Sequence, residues 1–216
     1  MQDFHFVERT IGASPADQLL ILLHGYGAHE NDLIDIANAL PGSFKVLSLR
    51  APLALPWGGY AWYPIYPSGS GFTSDTGAAI EALENLESAI PKWCHDKEIE
   101  LGRITLLGFS QGSILSQALI FRKPEWFETV IGLSGYLNKE LLPETTPEAI
   151  RSCRIYLTHG TQDEVIPVEW ARQSSKAYES MKIAHSYREY PIGHGIHPQG
   201  LQDLANWMEL GGKAPH

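Results

Sequence analysis

The chain has 216 residues, 44% of them hydrophobic and 19% charged, which suits one domain spanning 1–216 and excludes an intrinsically disordered chain. Lys plus Arg number 16 against 25 Asp plus Glu, for a net charge of −9, which repels phosphate backbones and anionic lipid headgroups and so excludes nucleic acid and electrostatic membrane docking. The longest purely apolar run, residues 19–23, falls far short of the ~20 needed for an integral membrane segment.

In chain order, residues 4–10 predict an antiparallel edge strand, because only a short stretch separates them from the next run. Continuous apolar runs at 19–23, 46–49, 104–107, 130–133 and 155–157, followed by 186–190, predict the strands of a mostly parallel central sheet with helices on both faces. Residues 52–72 hold Trp57, Tyr60, Trp62, Tyr63, Tyr66 and Phe72 interleaved with Pro and Gly, which predicts a long functional loop. Asp75 then precedes Ile80, Leu83, Leu86, Ile90 and Trp93 at three- and four-residue steps, with Glu81, Glu84 and Glu87 largely opposite, the pattern of a long amphipathic helix. Further helices are predicted over 111–121, 168–181 and 198–208, the last opening on Pro198 at a first-turn position that needs no N–H. The alternation specifies an α/β sandwich with right-handed crossovers. Cys94 and Cys153, the only cysteines, form no disulfide framework and are read as small buried hydrophobes in a reducing cytoplasm, since no signal peptide precedes the first strands.

Gly108-Phe109-Ser110-Gln111-Gly112 stands directly after one predicted strand and directly before a predicted helix. A serine at the tip of such a turn is held in a strained backbone, and the two glycines let strand and helix pass without a side-chain clash. Serine near neutral pH needs a base, and the base needs an acid to fix its tautomer. Asp163, in His159-Gly160-Thr161-Gln162-Asp163, and His194, in Gly193-His194-Gly195, follow in that order, each just past a predicted strand. All three fall at carboxyl ends of strands, where open α/β sheets build their sites. The backbone N–H groups of Tyr26 and Gln111 are the expected donors to a developing oxyanion. Ser134, in Gly132-Leu133-Ser134-Gly135-Tyr136, lacks the second glycine and reads as an ordinary strand-end hydroxyl. His24 reads as a buried turn-shaping ring and His197 as a helix cap. A His194/His197 metal pair lacks a third ligand, so neither a metal nor a cofactor is expected.

Together these segments resemble the phospholipase/carboxylesterase family of small α/β-hydrolases, which includes bacterial carboxylesterases and acyl-protein thioesterases. The resemblance rests on Leu23-His24-Gly25-Tyr26-Gly27, Arg50-Ala51-Pro52 with Trp62-Tyr63, Gly108-Phe109-Ser110-Gln111-Gly112, His159-Gly160 with Asp163, and Gly193-His194-Gly195. It implies Ser110 as nucleophile, Asp163 as acid, His194 as base, and the Tyr26 and Gln111 amides as oxyanion hole. Tyr26 stands where the family usually has Leu, Ser113 where it has Gly, and Pro64 where it has Asp. An apolar acyl groove is expected between Leu55, Trp57, Trp62, Tyr63 and Val165. The expected function is hydrolysis of small-molecule or lipid carboxylic esters, with thioesters and lysophospholipids in the same class. The alternatives are a peptidase or other acyl hydrolase using the same residues, and a non-catalytic binding protein on the same scaffold. The aromatic loop suits a dimer contact, a lipid surface or a substrate equally.

Overall fold

A computed structural model of the chain describes residues 4–68 and 71–212. The chain begins with β1 (Phe6–Ile11), β2 (Gln18–Leu23), a short helix α1 (Ile34–Asn38) and β3 (Phe44–Leu49). Two small antiparallel pairs follow: β4 (Leu53–Ala54) with β5 (Tyr60–Ala61), and β6 (Ile65–Ser68) with β7 (Gly71–Ser74). The remainder alternates: α2 (Thr76–Lys97), β8 (Ile104–Phe109), α3 (Gln111–Arg122), β9 (Phe127–Leu133), β10 (Arg154–Gly160), α4 (Val168–Ser180), β11 (Ser186–Tyr190) and α5 (Pro198–Glu209).

Seven strands form one sheet in the order β1-β3-β2-β8-β9-β10-β11. Only β1 runs antiparallel, against β3, so the predicted edge strand is present; every other pairing is parallel. Leu19 through Leu23 are all fully buried, because successive side chains point to opposite faces and both faces are covered. Leu19, Ile21 and Leu23 pack with Leu83, Leu86 and Ile90 of α2 and Leu115 and Leu119 of α3. Leu20 and Leu22 pack on the other side with Leu33, with Ala37 of α1 and with Leu204 and Trp207 of α5.

Asp75 caps α2 by accepting a hydrogen bond from the Ala78 N–H at 2.9 Å. The aromatic stretch, expected as an irregular loop, is instead two miniature hairpins. Pro64 sits between them, its carbonyl accepting the Asp75 N–H at 3.1 Å. Parallel register sets Leu23 opposite Gly108, and Gly108 opposite Gly132, so the carboxyl ends of β2, β8 and β9 lie along one edge of the sheet. Among the described residues, no helix is long and apolar enough to cross a membrane.

Candidate active site

Ser110 is the single residue between β8 and α3, with φ 52° and ψ −116°, a conformation that L residues adopt only when their surroundings enforce it. The enforcement comes from the glycines. A Cβ on Gly108 would lie 2.3 Å from the Gly112 carbonyl oxygen, and one on Gly112 would lie 2.0 Å from that of Leu23. The Ser110 N–H is held by the Leu133 carbonyl at 2.9 Å, and its own carbonyl accepts the Ile114 N–H at 3.0 Å.

The Ser110 Oγ lies 2.9 Å from His194 Nε2, and His194 Nδ1 lies 2.7 Å from Asp163 Oδ2. The Asp163 side chain is fully buried. Its other oxygen, Oδ1, accepts the N–H groups of Val165 at 2.9 Å and Ile166 at 2.8 Å, which orients the carboxylate and leaves Oδ2 for the imidazole. The structure thus brings together the three side chains that the sequence selected, from loops separated by 53 and 31 residues. The Phe109 ring lies beside His194, with ring centroids 5.0 Å apart.

The loop carrying His194 is tied at both ends. The Gln162 N–H donates to the Ile192 carbonyl at 3.0 Å, and the Ser134 Oγ donates to the Gly195 carbonyl at 3.0 Å. Ser134, expected to be an ordinary strand-end hydroxyl, is therefore a clamp on this loop, and its φ of 51° repeats the strain of Ser110. Gly160 permits the close approach, since a Cβ there would meet the Ile192 and Gly193 carbonyl oxygens at 2.3 Å.

Tyr26 lies in the turn after β2. A Cβ on its neighbour Gly25 would touch the Phe109 ring at 3.0 Å and Ser110 Cβ at 3.3 Å, so this turn lies against the serine. The N–H groups of Gly27 and Ala28 are used by the carbonyls of Tyr60 and Gly25; no described backbone hydrogen bond uses that of Tyr26. Gln111 is the first residue of α3, where N–H groups have no intrahelical partner and the helix dipole favours negative charge. The turn is stapled from outside by Arg50, whose Nε donates to Glu30 Oε2 at 2.7 Å and whose Nη2 donates to Oε1. These bonds lower the Glu30 carboxyl to about 2. The Arg50 guanidinium also lies over the Tyr60 ring, 4.6 Å from its centroid.

The expected groove residues divide. Val165 is 60% exposed and directly follows the acid turn. Trp57 is 73% exposed at the tip of the β4–β5 hairpin, and Leu55 is half-buried there. Trp62 and Tyr63 are not walls of an open groove: both are buried in the main core at 2% and 1% exposure. What holds them is a feature the sequence reading missed, the side-chain amide of Gln111. Its Oε1 accepts the Trp62 N–H and its Nε2 donates to the Tyr63 carbonyl, each at 2.8 Å. The Trp62 indole donates to the His24 carbonyl at 2.9 Å.

His24 is buried, and burial holds its pKa below the ordinary histidine value. Its Nδ1–H donates to the Gly25 carbonyl at 2.7 Å while Nε2 accepts the Ala51 N–H at 3.0 Å. His197 caps α5, its Nδ1 accepting the Gln199 N–H at 3.1 Å, and stacks on Tyr190. Cys94 and Cys153 are buried free thiols, and burial pushes both up to about 11.

A family model described as phospholipase/carboxylesterase matches residues 6–211. An esterase of Escherichia coli, YpfH, is 30% identical over 94% of this chain and 86% of its own length. Acyl-protein thioesterase 1 of Debaryomyces hansenii is 26% identical over 91% of this chain and 92% of its own. Among solved structures, the carboxylesterase of Bacillus cereus superposes with a TM-score of 0.82 at 15% identity, covering 95% of this chain and 94% of that one. At that identity the likeness carries the α/β-hydrolase fold alone.

Proposed function

The chain belongs to the phospholipase/carboxylesterase family, which makes it a hydrolase of the esterase and thioesterase type, and from that premise we propose that it cleaves carboxylic esters through an acyl-Ser110 intermediate. The observation that carries this reading is the chain of contacts from Ser110 Oγ to His194 Nε2 and from His194 Nδ1 to Asp163 Oδ2, at 2.9 and 2.7 Å.

His194 Nε2 takes the Ser110 proton as Oγ attacks the acyl carbonyl, and Asp163 stabilises the imidazolium that forms. The tetrahedral oxyanion is received by the Tyr26 and Gln111 N–H groups. Its collapse expels the alcohol or thiol, which leaves with the proton from His194. Water, deprotonated by the same nitrogen, then attacks the acyl carbon; collapse breaks the bond to Ser110 Oγ, His194 returns the proton to that oxygen, and the carboxylic acid product leaves. Exposed Trp57 and Val165, with half-buried Leu55, support an apolar acyl group, because an acyl chain laid on them would remove apolar surface from water. That breadth includes thioesters and lysophospholipids.

The test is kcat/KM of wild type and Ser110→Ala on p-nitrophenyl esters from acetyl to palmitoyl, with an acyl thioester alongside. Loss of at least about a thousandfold in the variant is expected, and the peak along the series gives the depth of the acyl site. Unchanged turnover in a folded Ser110→Ala protein would remove the acyl-serine mechanism.

A further inference from the structure

Directly behind Asp163 lies a second histidine that the mechanism above does not use. His159 is near the end of β10, four residues before the acid, and its side chain is fully buried, as is that of Asp163. Its Nε2 lies 2.8 Å from the Ile166 carbonyl oxygen and 3.2 Å from Asp163 Oδ2. That carboxylate oxygen is the one facing His194 Nδ1. Both neighbours of His159 Nε2 can only accept, so the ring carries its proton on Nε2. Its Nδ1 is buried without a hydrogen-bond partner among the described residues.

A buried, unpaired ring nitrogen is costly, and an apolar side chain would fill the same space without that cost. The histidine is justified by what its other nitrogen does. We infer that His159 is a positioning residue for the acid of this site, donating its Nε2–H to the Ile166 carbonyl and holding the positive end of that N–H 3.2 Å from Asp163 Oδ2. The inference rests on the reading of Asp163 as the acid partner of His194.

The geometry gives this bond a specific effect. The Val165 and Ile166 N–H groups hold Oδ1, but coupled changes in the two side-chain torsions of Asp163 could still pivot the carboxylate about Oδ1 and swing Oδ2 relative to the His194 ring. His159 closes that freedom by holding Oδ2 and the far end of the turn, Ile166, from one atom. Its fully buried ring contacts Ile166 and Asp163, not Ser110. Its loss is therefore expected to reduce the rate at which bound substrate reacts, not the binding of substrate itself.

Two measurements test this. In kinetics on a p-nitrophenyl ester, His159→Leu is expected to lower kcat about tenfold with KM within about twofold of wild type. His159→Gln, whose amide N–H reaches the point occupied by Nε2, is expected to recover kcat to within about threefold of wild type. A folded His159→Leu protein with wild-type kcat would overturn the inference, as would a His159→Gln protein no better than His159→Leu. Should the leucine variant not fold, imidazole 15N spectra of the wild-type protein decide, with the His159 resonance assigned by its loss in His159→Gln. The Nε2–H tautomer is expected, and the Nδ1–H tautomer would overturn the assignment. Asp163→Asn, run beside them, separates the two readings: wild-type kcat there removes the underlying acid–base assignment, whereas a large loss there with no loss in His159→Leu removes only the role of His159.

Discussion

The elbow that presents Ser110 depends on how closely α3 passes the end of β2, and Gly112→Ala tests that dependence. The added methyl would sit 2.0 Å from the Leu23 carbonyl oxygen, 2.5 Å from the Leu23 carbonyl carbon and 2.8 Å from the His24 oxygen. Every one of these is a backbone atom, so no side chain can swing aside. To reach ordinary contact at 3.4 Å the gap must open by about 1.4 Å. Leu23 lies in the middle of the sheet, paired with β3 on one side and β8 on the other, so the movement falls on the elbow and on the turn that carries Tyr26. Overpacking of this severity is expected to cost about 3 kcal/mol of stability, read from urea unfolding followed by circular dichroism. A displacement of roughly 1 Å at the turn is expected to cost about a hundredfold in kcat/KM on the protein that remains folded. Gly77→Ala serves as the control. Its methyl would meet only the Asp75 carboxylate, at 3.5 Å in the first turn of α2, and it should be neutral or stabilising by up to about 1 kcal/mol. Gly112→Ala with less than about 1 kcal/mol of destabilisation and full activity would refute the claim that this contact shapes the site.

Two further outcomes follow from neighbouring contacts. The Glu30 carboxyl is depressed from 4.5 to about 2 by hydrogen bonds from Arg50, so its stabilising contribution is fully present above pH 4.5 and is lost as pH falls from there through 2. With the Arg50 side chain 32% exposed, the contribution at neutral pH is about 2 kcal/mol; urea unfolding should show Glu30→Gln destabilised by that amount at pH 6 and closer to wild type at pH 3, and a gap independent of pH would contradict the assignment. A Cβ on Gly135 would meet Ser113 Oγ at 2.5 Å and Ser113 Cβ at 2.6 Å, so Gly135→Ala should cost about 2 kcal/mol and the Ser113→Gly/Gly135→Ala double variant should recover about half of it, while strictly additive losses would show that the two positions do not compete for space.

Much of this arrangement was legible in the sequence, and for a local reason. Ser110, Asp163 and His194 each follow an apolar strand segment, and parallel register converts the ends of separate strands into one edge. Chain order alone therefore brought them together. What escaped notice is carried by contacts between distant positions. Trp62 and Tyr63 look by composition like part of an exposed flap, but the Gln111 side chain, 49 residues away, binds the backbone of both and draws them into the core. Position in the elbow points to the backbone N–H of Gln111 and carries no sign of its side-chain amide's partners. Helix α1 is five residues long, too short to show a period or to form without tertiary packing. Its apolar contacts with Leu20 and Leu22 exist only once the sheet has formed.

Strain by itself does not distinguish the proposed nucleophile, because the two serines at this edge share it and differ in what they face. Ser110 and Ser134 stand one residue beyond β8 and β9, at φ 52° and 51°. Each donates its N–H at 2.9 Å to the neighbouring strand, Ser110 to Leu133 and Ser134 to Thr158. Their backbones are thus near equivalents, and both side chains are almost wholly buried. The difference is the atom each hydroxyl faces. Ser110 Oγ meets an imidazole nitrogen that can take its proton, whereas Ser134 Oγ meets the Gly195 carbonyl, which accepts a hydrogen bond but cannot serve as a base near neutral pH. A fluorophosphonate probe should therefore label wild type at Ser110 and leave Ser110→Ala unlabelled although Ser134 remains. Ser134→Ala should label at a reduced rate, because the loop holding His194 loses a tether. Labelling at Ser134, by peptide mass spectrometry, would show that backbone strain rather than the facing base confers the reactivity.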